Sequence, residues 1–221
     1  LMESDLSLGL FETPEGTKFV LEKFGVSGPE LSFIKKYRGP LIEASEFDSE
    51  EDLMGLLRNK IIQHYQANKS LFSEYDLTNR EKLIASAVAQ VNGSIATYAV
   101  KSRHPYNLDD ILMIHNGNCS DFSLRLMIVL EAIGIKAAMI SIVTSGLPGH
   151  IFVDAYDPIS DSSFLLDSTW NLMVILHNSN GKSLIQFVSE ATDAERPTIV
   201  DNLTINQFPA YFRYIDPGLA G

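Results

Sequence analysis

The sequence predicts an α+β fold in which helices come first and an antiparallel sheet follows. Two segments of the first half, about 49–67 and 78–100, repeat apolar residues at helical spacing, and each opens with a capping-box pattern. Beyond Gly134 the chain changes to β-forming residues in short runs, separated by Gly, Pro, Asn and Ser. Because helices and strands are segregated along the chain, these patterns indicate α+β and not an alternating parallel sheet.

Size and composition predict one globular core. The chain has 221 residues, of which 45% are hydrophobic and 20% charged, as in an ordinary folded domain. Its formal net charge of -11 repels phosphate backbones, so nucleic acid is not an expected partner. The most apolar stretch, 126–143, contains Glu131 and Lys136, which favours a buried helix and strand over a membrane span.

The expected organisation has three parts. Residues 1–47 are irregular or form short strands, 48–190 form the main domain, and 191–221 form a tail on or near the core. Residues 1–10 lack the basic and apolar stretches of a signal peptide. The single cysteine allows no internal disulfide, so the compartment stays open, as does the oligomeric state.

The third predicted helix starts at that cysteine, Cys119. Residues 116–118 have turn chemistry, 120–133 have helical apolar content, and Gly134 is placed for a left-handed C-terminal cap. A thiol attacks as thiolate, and its pKa falls from about 8.5 to roughly 3.5–7.5 at a helix N-terminus or beside a histidine. The N–H groups of such a helix start also point at a developing oxyanion. Cys119 is therefore the candidate nucleophile.

Strands are expected after this helix, and one of them begins with a histidine. Their predicted bounds are 138–143, 151–156, 164–166, 173–176 and 184–188. His150 follows a flexible loop, 145–149, and starts its strand, so its ring projects from a strand end as a general base requires. Strand alternation puts it on one face with Phe152 and Asp154.

Strand register selects Asp167 as the partner of His150. Asp157-Pro158-Ile159-Ser160 has the residue preferences of a type I turn. Pairing Asp157 with Ser160 places Asp167 opposite His150, whereas a longer loop through 161–163 shifts the pairing by one or two residues. A carboxylate on a neighbouring strand is the group that orients a catalytic histidine.

Three blocks of the chain together carry a family resemblance. They are Gly117-Asn118-Cys119-Ser120-Asp121-Phe122 with 134–137, then Gly149-His150-Ile151-Phe152-Val153-Asp154, then Leu166-Asp167-Ser168-Thr169-Trp170. In this order and structural context, over about 107–171, they resemble the transglutaminase-like superfamily. The resemblance implies a papain-like α+β core and a Cys119, His150, Asp167 triad that acts on a peptide, protein or small amide or acyl substrate without a cofactor.

The chain departs from the vertebrate-type pattern in two respects. It has no tryptophan upstream of Cys119, so a second oxyanion donor must be another residue, with Gln90, Asn92 and His115 as candidates. No calcium loop is visible, and a zinc site built from His104, His115 and His150 lacks any standard ligand spacing, so no metal is expected.

Three functions remain open from the sequence. The first is a thiol enzyme, in which hydrolysis and transfer use the same residues. The second is a non-catalytic binding or scaffold module with the same fold. The third is an acyltransferase that loads from a carrier thioester.

Overall fold

The structure, a computed structural model, describes residues 46, 48–95, 97–98, 108–113, 116–142, 150–208 and 214–215. Its helices are α1 (Glu50–Asn68), α2 (Asn79–Ser94), α3 (Leu108–Met113), α4 (Cys119–Ala132), α5 (Leu184–Glu190) and α6 (Arg196–Asp201). Its strands are β1 (Thr97–Tyr98), β2 (Asn116–Gly117), β3 (Lys136–Ile142), β4 (His150–Asp157), β5 (Ser162–Asp167), β6 (Leu172–His177), β7 (Thr204–Gln207) and β8 (Tyr214–Ile215). This mixture of helices and antiparallel sheet confirms the predicted α+β class.

The main sheet has five strands in the order β3-β4-β5-β6-β7, and all of its pairs are antiparallel. One face packs against α1, α2 and α4 in the larger apolar cluster, which includes Val153, Phe164 and Ile175. A smaller cluster on the opposite face lies under α5 and α6. Strands β1, β2 and β8 form a separate parallel sheet, and β2 leads into the start of α4.

The first two helices begin where their capping residues predict. The Ser49 side chain accepts from the Asp52 N–H, and Thr78 forms a complete capping box with Glu81. The predicted end of the second helix near residue 100 is wrong, since α2 ends at Ser94. Ser94 bonds back to the Val91 carbonyl, Ile95 is extended, and 97–98 leave the helix to pair with β2.

Residues at both ends of α4 form helix caps. Asn118 caps its N-terminus, and Gly134 adopts φ +80° after its C-terminus. The Gly134 N–H donates to the Glu131 carbonyl and the Ile135 N–H to that of Leu130, which is the Schellman pattern.

Residues 184–188 form the first part of α5, so the predicted strand there is wrong. Ser183 caps this helix by accepting from the Gln186 N–H. Leu184, Phe187 and Val188 recur at helical spacing, and they pack into the smaller cluster. The mainly apolar five-residue run 184–188 is short enough to fit either a strand or a helix, and the cap favours the helix.

The register predicted between β4 and β5 is wrong by two residues. Asp157 pairs with Ser162, so Asp167 aligns with Phe152 and His150 aligns with residue 169. The loop is longer because Asp161 has φ 47° and stays in the turn, where its carboxylate accepts from the Gly181 N–H at 3.0 Å. That contact comes from a distant part of the chain.

The expected N-terminal segment, 1–47, lies almost wholly outside the described residues. Within the expected tail, 191–221, β7 pairs with β6 and is the fifth strand of the main sheet. The sheet therefore continues beyond residue 190. Among the described helices, none is long and apolar enough to cross a bilayer.

Candidate functional site

Cys119 is the first residue of α4, and the turn before it is held by several contacts. The Asn118 side chain accepts from the Ser120 N–H at 3.0 Å, and the Asp121 carboxylate accepts from the Asn118 N–H at 2.8 Å. A Cβ on Gly117 would lie 2.6 Å from the Asp121 Cβ, so only glycine leaves room for this carboxylate. These contacts fix the position from which the thiol projects.

His150 and Asp167 meet at the same end of the sheet. The His150 Nε2 atom lies 2.6 Å from the Asp167 Oδ2 atom. Although the two residues are not opposite each other, they are diagonal neighbours on one face, and the imidazole is long enough to span such a pair. The structure therefore brings these two predicted site residues together through a register other than the predicted one.

The second carboxylate oxygen of Asp167 is also occupied. Asp167 Oδ1 accepts from the backbone N–H groups of Thr169 at 2.9 Å and of Trp170 at 3.3 Å. Two donors on one oxygen fix the plane of the carboxylate and aim its other oxygen at the imidazole. Asp167 is thus oriented by its own turn.

The turn after β5 is anchored to two helices. The Asn92 Nδ2 atom, on α2, donates to the carbonyls of Ser168 at 2.9 Å and Thr169 at 3.1 Å. Ser168 Oγ donates to the Phe122 carbonyl of α4 at 3.2 Å. The residues that orient Asp167 are therefore connected to the helix that begins at Cys119.

A further bond joins that helix directly to the strand of His150. Ser123 lies one helical turn after Cys119, and its Oγ donates to the Ile151 carbonyl at 3.0 Å. Because Ile151 is adjacent to His150, this bond limits how far the strand end can move from the helix start.

Cys119 and Asp167 both act on the charge of His150. Burial alone would lower the pKa of this histidine, but hydrogen bonds to Asp167 and Cys119, and the charges of those two groups, raise it from 6.5 to about 10. Because Nε2 faces Asp167, the contact with Cys119 is made by the other ring nitrogen, Nδ1. The imidazole stands between Asp167 and Cys119, and both contacts favour its protonated form.

The three side chains differ in their access to solvent. Cys119 is 8% exposed, whereas the side chain of His150 is 32% exposed. His150 is therefore the more accessible of the two reacting groups, and Cys119 lies largely below the surface.

The structure describes two of the three candidates for a second oxyanion donor, Asn92 and Gln90. Both hydrogens of the Asn92 amide are directed at backbone carbonyls, so Asn92 holds a turn. Gln90 lies about 200° around α2 from Asn92, by the helical repeat, on the face of Ser86 and Ser94. It therefore points away from the Asp167 turn. His115 lies outside the described residues.

The described part of the chain offers no candidate metal site. In the described segments, no three His, Cys, Asp or Glu side chains are placed to hold a metal ion. Of the histidines in the zinc alternative, His104 and His115 fall outside those segments.

Sequence reasoning missed Ser123, which joins α4 to the strand of His150, and the buried Arg125, and it named Asn92 as an oxyanion donor and not as the residue that holds the Asp167 turn. The available signal is a polar residue within an otherwise apolar helix face, as at Ser123 and Arg125 in α4. This signal marks a buried polar contact without naming its partner.

Comparison with protein-family models, with curated proteins and with solved structures found no match. The transglutaminase-like resemblance thus stays a prediction from the three sequence blocks.

Proposed function

We propose that this protein is a thiol enzyme of the transglutaminase-like type with a papain-like core, which cleaves or transfers an amide or acyl group. The observation that carries the proposal is the His150 ring, which bonds to both Asp167 and Cys119, the first residue of a buried helix. Helix start, strand-end histidine and carboxylate on the next strand are the parts such chemistry requires.

In the proposed reaction, the Cys119 proton resides on His150 and the thiolate attacks the substrate carbonyl carbon. A carbon–sulfur bond forms, and the carbonyl oxygen becomes an oxyanion that faces the N–H groups of the α4 start. His150 then gives its proton to the leaving amine as the carbon–nitrogen bond breaks, which leaves a thioester. Water or a second amine gives a proton to His150, attacks the thioester and releases the thiolate.

One observation favours the alternative of a non-catalytic module that keeps this fold. Cys119 is 8% exposed, and a buried lone cysteine behaves by default as a small apolar residue. The alternative predicts an inert thiol and the proposal predicts an activated one, so a single measurement separates them.

The test is the rate of iodoacetamide labelling at pH 6, measured by intact mass. Because the chain contains one cysteine, any added mass reports on Cys119. The thiolate form predicts labelling at least about tenfold faster in wild type than in His150→Ala. His177→Ala is the matched control, since His177 is a half-exposed histidine at the opposite end of the sheet. It should label at the wild-type rate.

Two results would contradict the proposal. One is labelling of wild type no faster than that of the urea-unfolded chain. The other is equal labelling of wild type and His150→Ala when circular dichroism shows that both proteins are folded.

A further inference from the structure

The strand β4 extends beyond its pairing with β5 at the end that carries His150. The ladder between β4 and β5 ends at the pair Val153 and Leu166. From there β4 continues to His150 through residues 150–152, whose register partners lie in β3, at the edge of the five-stranded sheet. Because the ladder to β5 does not reach His150, other contacts must fix this strand end relative to the thiol.

Ser123 of α4 contacts this end of β4 from the helix. It lies four residues after Cys119, so the two side chains share a face of the helix. Its Oγ atom donates to the carbonyl of Ile151, the residue next to His150, at 3.0 Å. Helix and strand therefore meet at two neighbouring points, where Ser123 bonds to Ile151 and where Cys119 bonds to His150.

A serine at this position of α4 has a cost that the bond to Ile151 removes. Ser123 is 1% exposed, and Phe122 and Leu126 beside it are fully buried. A buried hydroxyl without a partner is unfavourable, whereas alanine has a higher helix propensity and no polar group to satisfy. The hydroxyl is thus accounted for by its bond to the strand of His150.

The proposed reaction requires His150 beside the sulfur in two different states. Before reaction the imidazole bonds to Cys119. In the thioester the sulfur is bonded to the acyl carbon, and the imidazole has to accept a proton from water or an amine at the same place. Since the bond from Ser123 to Ile151 does not involve the sulfur, it holds the histidine in both states.

We propose that Ser123 is a positioning residue for this reaction, which holds the His150 end of β4 beside the first turn of α4. Ser123 acts through the backbone of β4 and therefore through His150, and it transfers no proton itself. This inference rests on the proposed function, since it concerns the same thiol and histidine.

The experiment is a double-mutant cycle between Ser123 and His150, with the rate of Cys119 labelling by iodoacetamide as the readout. At pH 6, Ser123→Ala should label about fivefold more slowly than wild type, which corresponds to the loss of one hydrogen bond. In the His150→Ala background the same substitution should change the rate by less than about twofold, because the histidine it positions is absent. At pH 9.5, where a thiol ionises without help, Ser123→Ala should label within about twofold of wild type.

Ser86→Ala is the matched control. Ser86 is a fully buried serine of α2 whose Oγ atom bonds to the Nδ1 atom of His64, so this substitution also removes a buried hydrogen bond. It should label at the wild-type rate at both pH values.

A second pair of variants separates the hydroxyl from the shape of the side chain. Threonine and valine have nearly the same shape, and only threonine keeps a hydroxyl for the Ile151 carbonyl. Ser123→Thr should therefore label at least about threefold faster than Ser123→Val at pH 6. This pair decides the question if Ser123→Ala does not fold.

A general loosening of the structure predicts a different pattern. Ser123→Ala would then change labelling equally with and without His150, or equally at pH 6 and pH 9.5, and either result would overturn the inference. Equal labelling of folded Ser123→Thr and Ser123→Val at pH 6 would overturn it as well.

Failure of the proposed function has its own signature. In that case His150→Ala labels at the wild-type rate, and both proposals fail together. If labelling depends on His150 but Ser123→Ala labels at the wild-type rate at pH 6, the enzyme proposal stands and this inference fails.

Discussion

The strand β4 begins at His150 and ends at Asp157, and each of these residues is bonded to a group of opposite charge in a different way. At the far end, Asp157 is fully buried and receives two bonds from Arg80, both at 3.0 Å. Ser160 Oγ and the Ile159 N–H also donate to it. At the near end, the side chain of His150 is 32% exposed and has Asp167 on one side and Cys119 on the other.

We therefore expect the Arg80–Asp157 pair to stabilise the fold, and the contacts of His150 with Asp167 and Cys119 to act on the reactivity of the thiol. Burial alone would raise the pKa of Asp157, but Arg80, Ser160 and Ile159 outweigh it, and the pKa lies below its usual value. A carboxylate so fully bonded has no capacity left for a ligand. The raised pKa of His150 depends on Asp167 and also on Cys119, whose sulfur must leave the histidine when it reacts.

The largest expected effect is on stability, at the Arg80 end. Arg80→Met leaves the Asp157 carboxylate buried without its cation, so the free energy of unfolding should fall by about 3 kcal/mol. Urea denaturation measures this free energy. The control is Arg58→Met, at an exposed arginine of α1, whose free energy of unfolding should stay within about 0.5 kcal/mol of wild type. Labelling of Cys119 in the folded variant should stay within about threefold of wild type. A stability loss below about 1 kcal/mol would contradict the structural role.

At the other end, the expected effect is on reactivity. Asp167→Asn keeps an oxygen for the Thr169 and Trp170 N–H groups but removes the charge that favours protonated His150. Labelling of Cys119 at pH 6 should fall about tenfold, while the unfolding free energy changes by less than about 1 kcal/mol. Wild-type reactivity in this variant would show that Asp167 does not act on the thiol through His150.

The smallest effect is a change of stability with pH. Because the pKa of His150 is raised on folding, its contribution is fully present below about pH 6.5 and is lost as the pH rises towards about 10. The stability difference between wild type and His150→Gln, from urea unfolding at pH 6, 8 and 9.5, should therefore shrink steadily. Asp157 behaves oppositely, since its lowered pKa gives a contribution that is lost as the pH falls below about 3.8. A stability difference between wild type and His150→Gln that does not vary with pH would contradict the contacts of His150 with Asp167 and Cys119.

The helix starts and the α4 cap could be predicted because their signals are local. Ser49, Thr78 and Asn118 each bond within three residues, and Gly134 needs only its own left-handed conformation. Cys119 and His150 were named from such positions, one at a helix start and one at a strand start. Asp167 was named from the family resemblance and from a pairing of Asp157 with Ser160 that the structure does not have, although its side chain does reach His150.

The features that the sequence could not predict depend on contacts between distant parts of the chain. The β4–β5 loop is lengthened by a bond from Gly181 to Asp161, twenty residues apart. The end of α2 involves Arg125, which donates to Ser94 from a different helix. A buried arginine is also contrary to the usual exposure of its residue type, so no local rule selects its partners.

Arg80 has a mechanical consequence for the candidate site. The residue that binds Asp157 at the end of β4 also donates to the Ile133 carbonyl, at the end of α4, at 3.1 Å. Arg80 thus joins helix and strand at the end away from the site, and both run from it towards the thiol and the imidazole. Since α4 has 14 residues and is therefore about 21 Å long, a tilt of about 3° at this pivot displaces Cys119 by about 1 Å. The bond from Ser123 to the Ile151 carbonyl, near the site, opposes this tilt, so the reacting atoms keep their alignment when the Arg80 contact is lost.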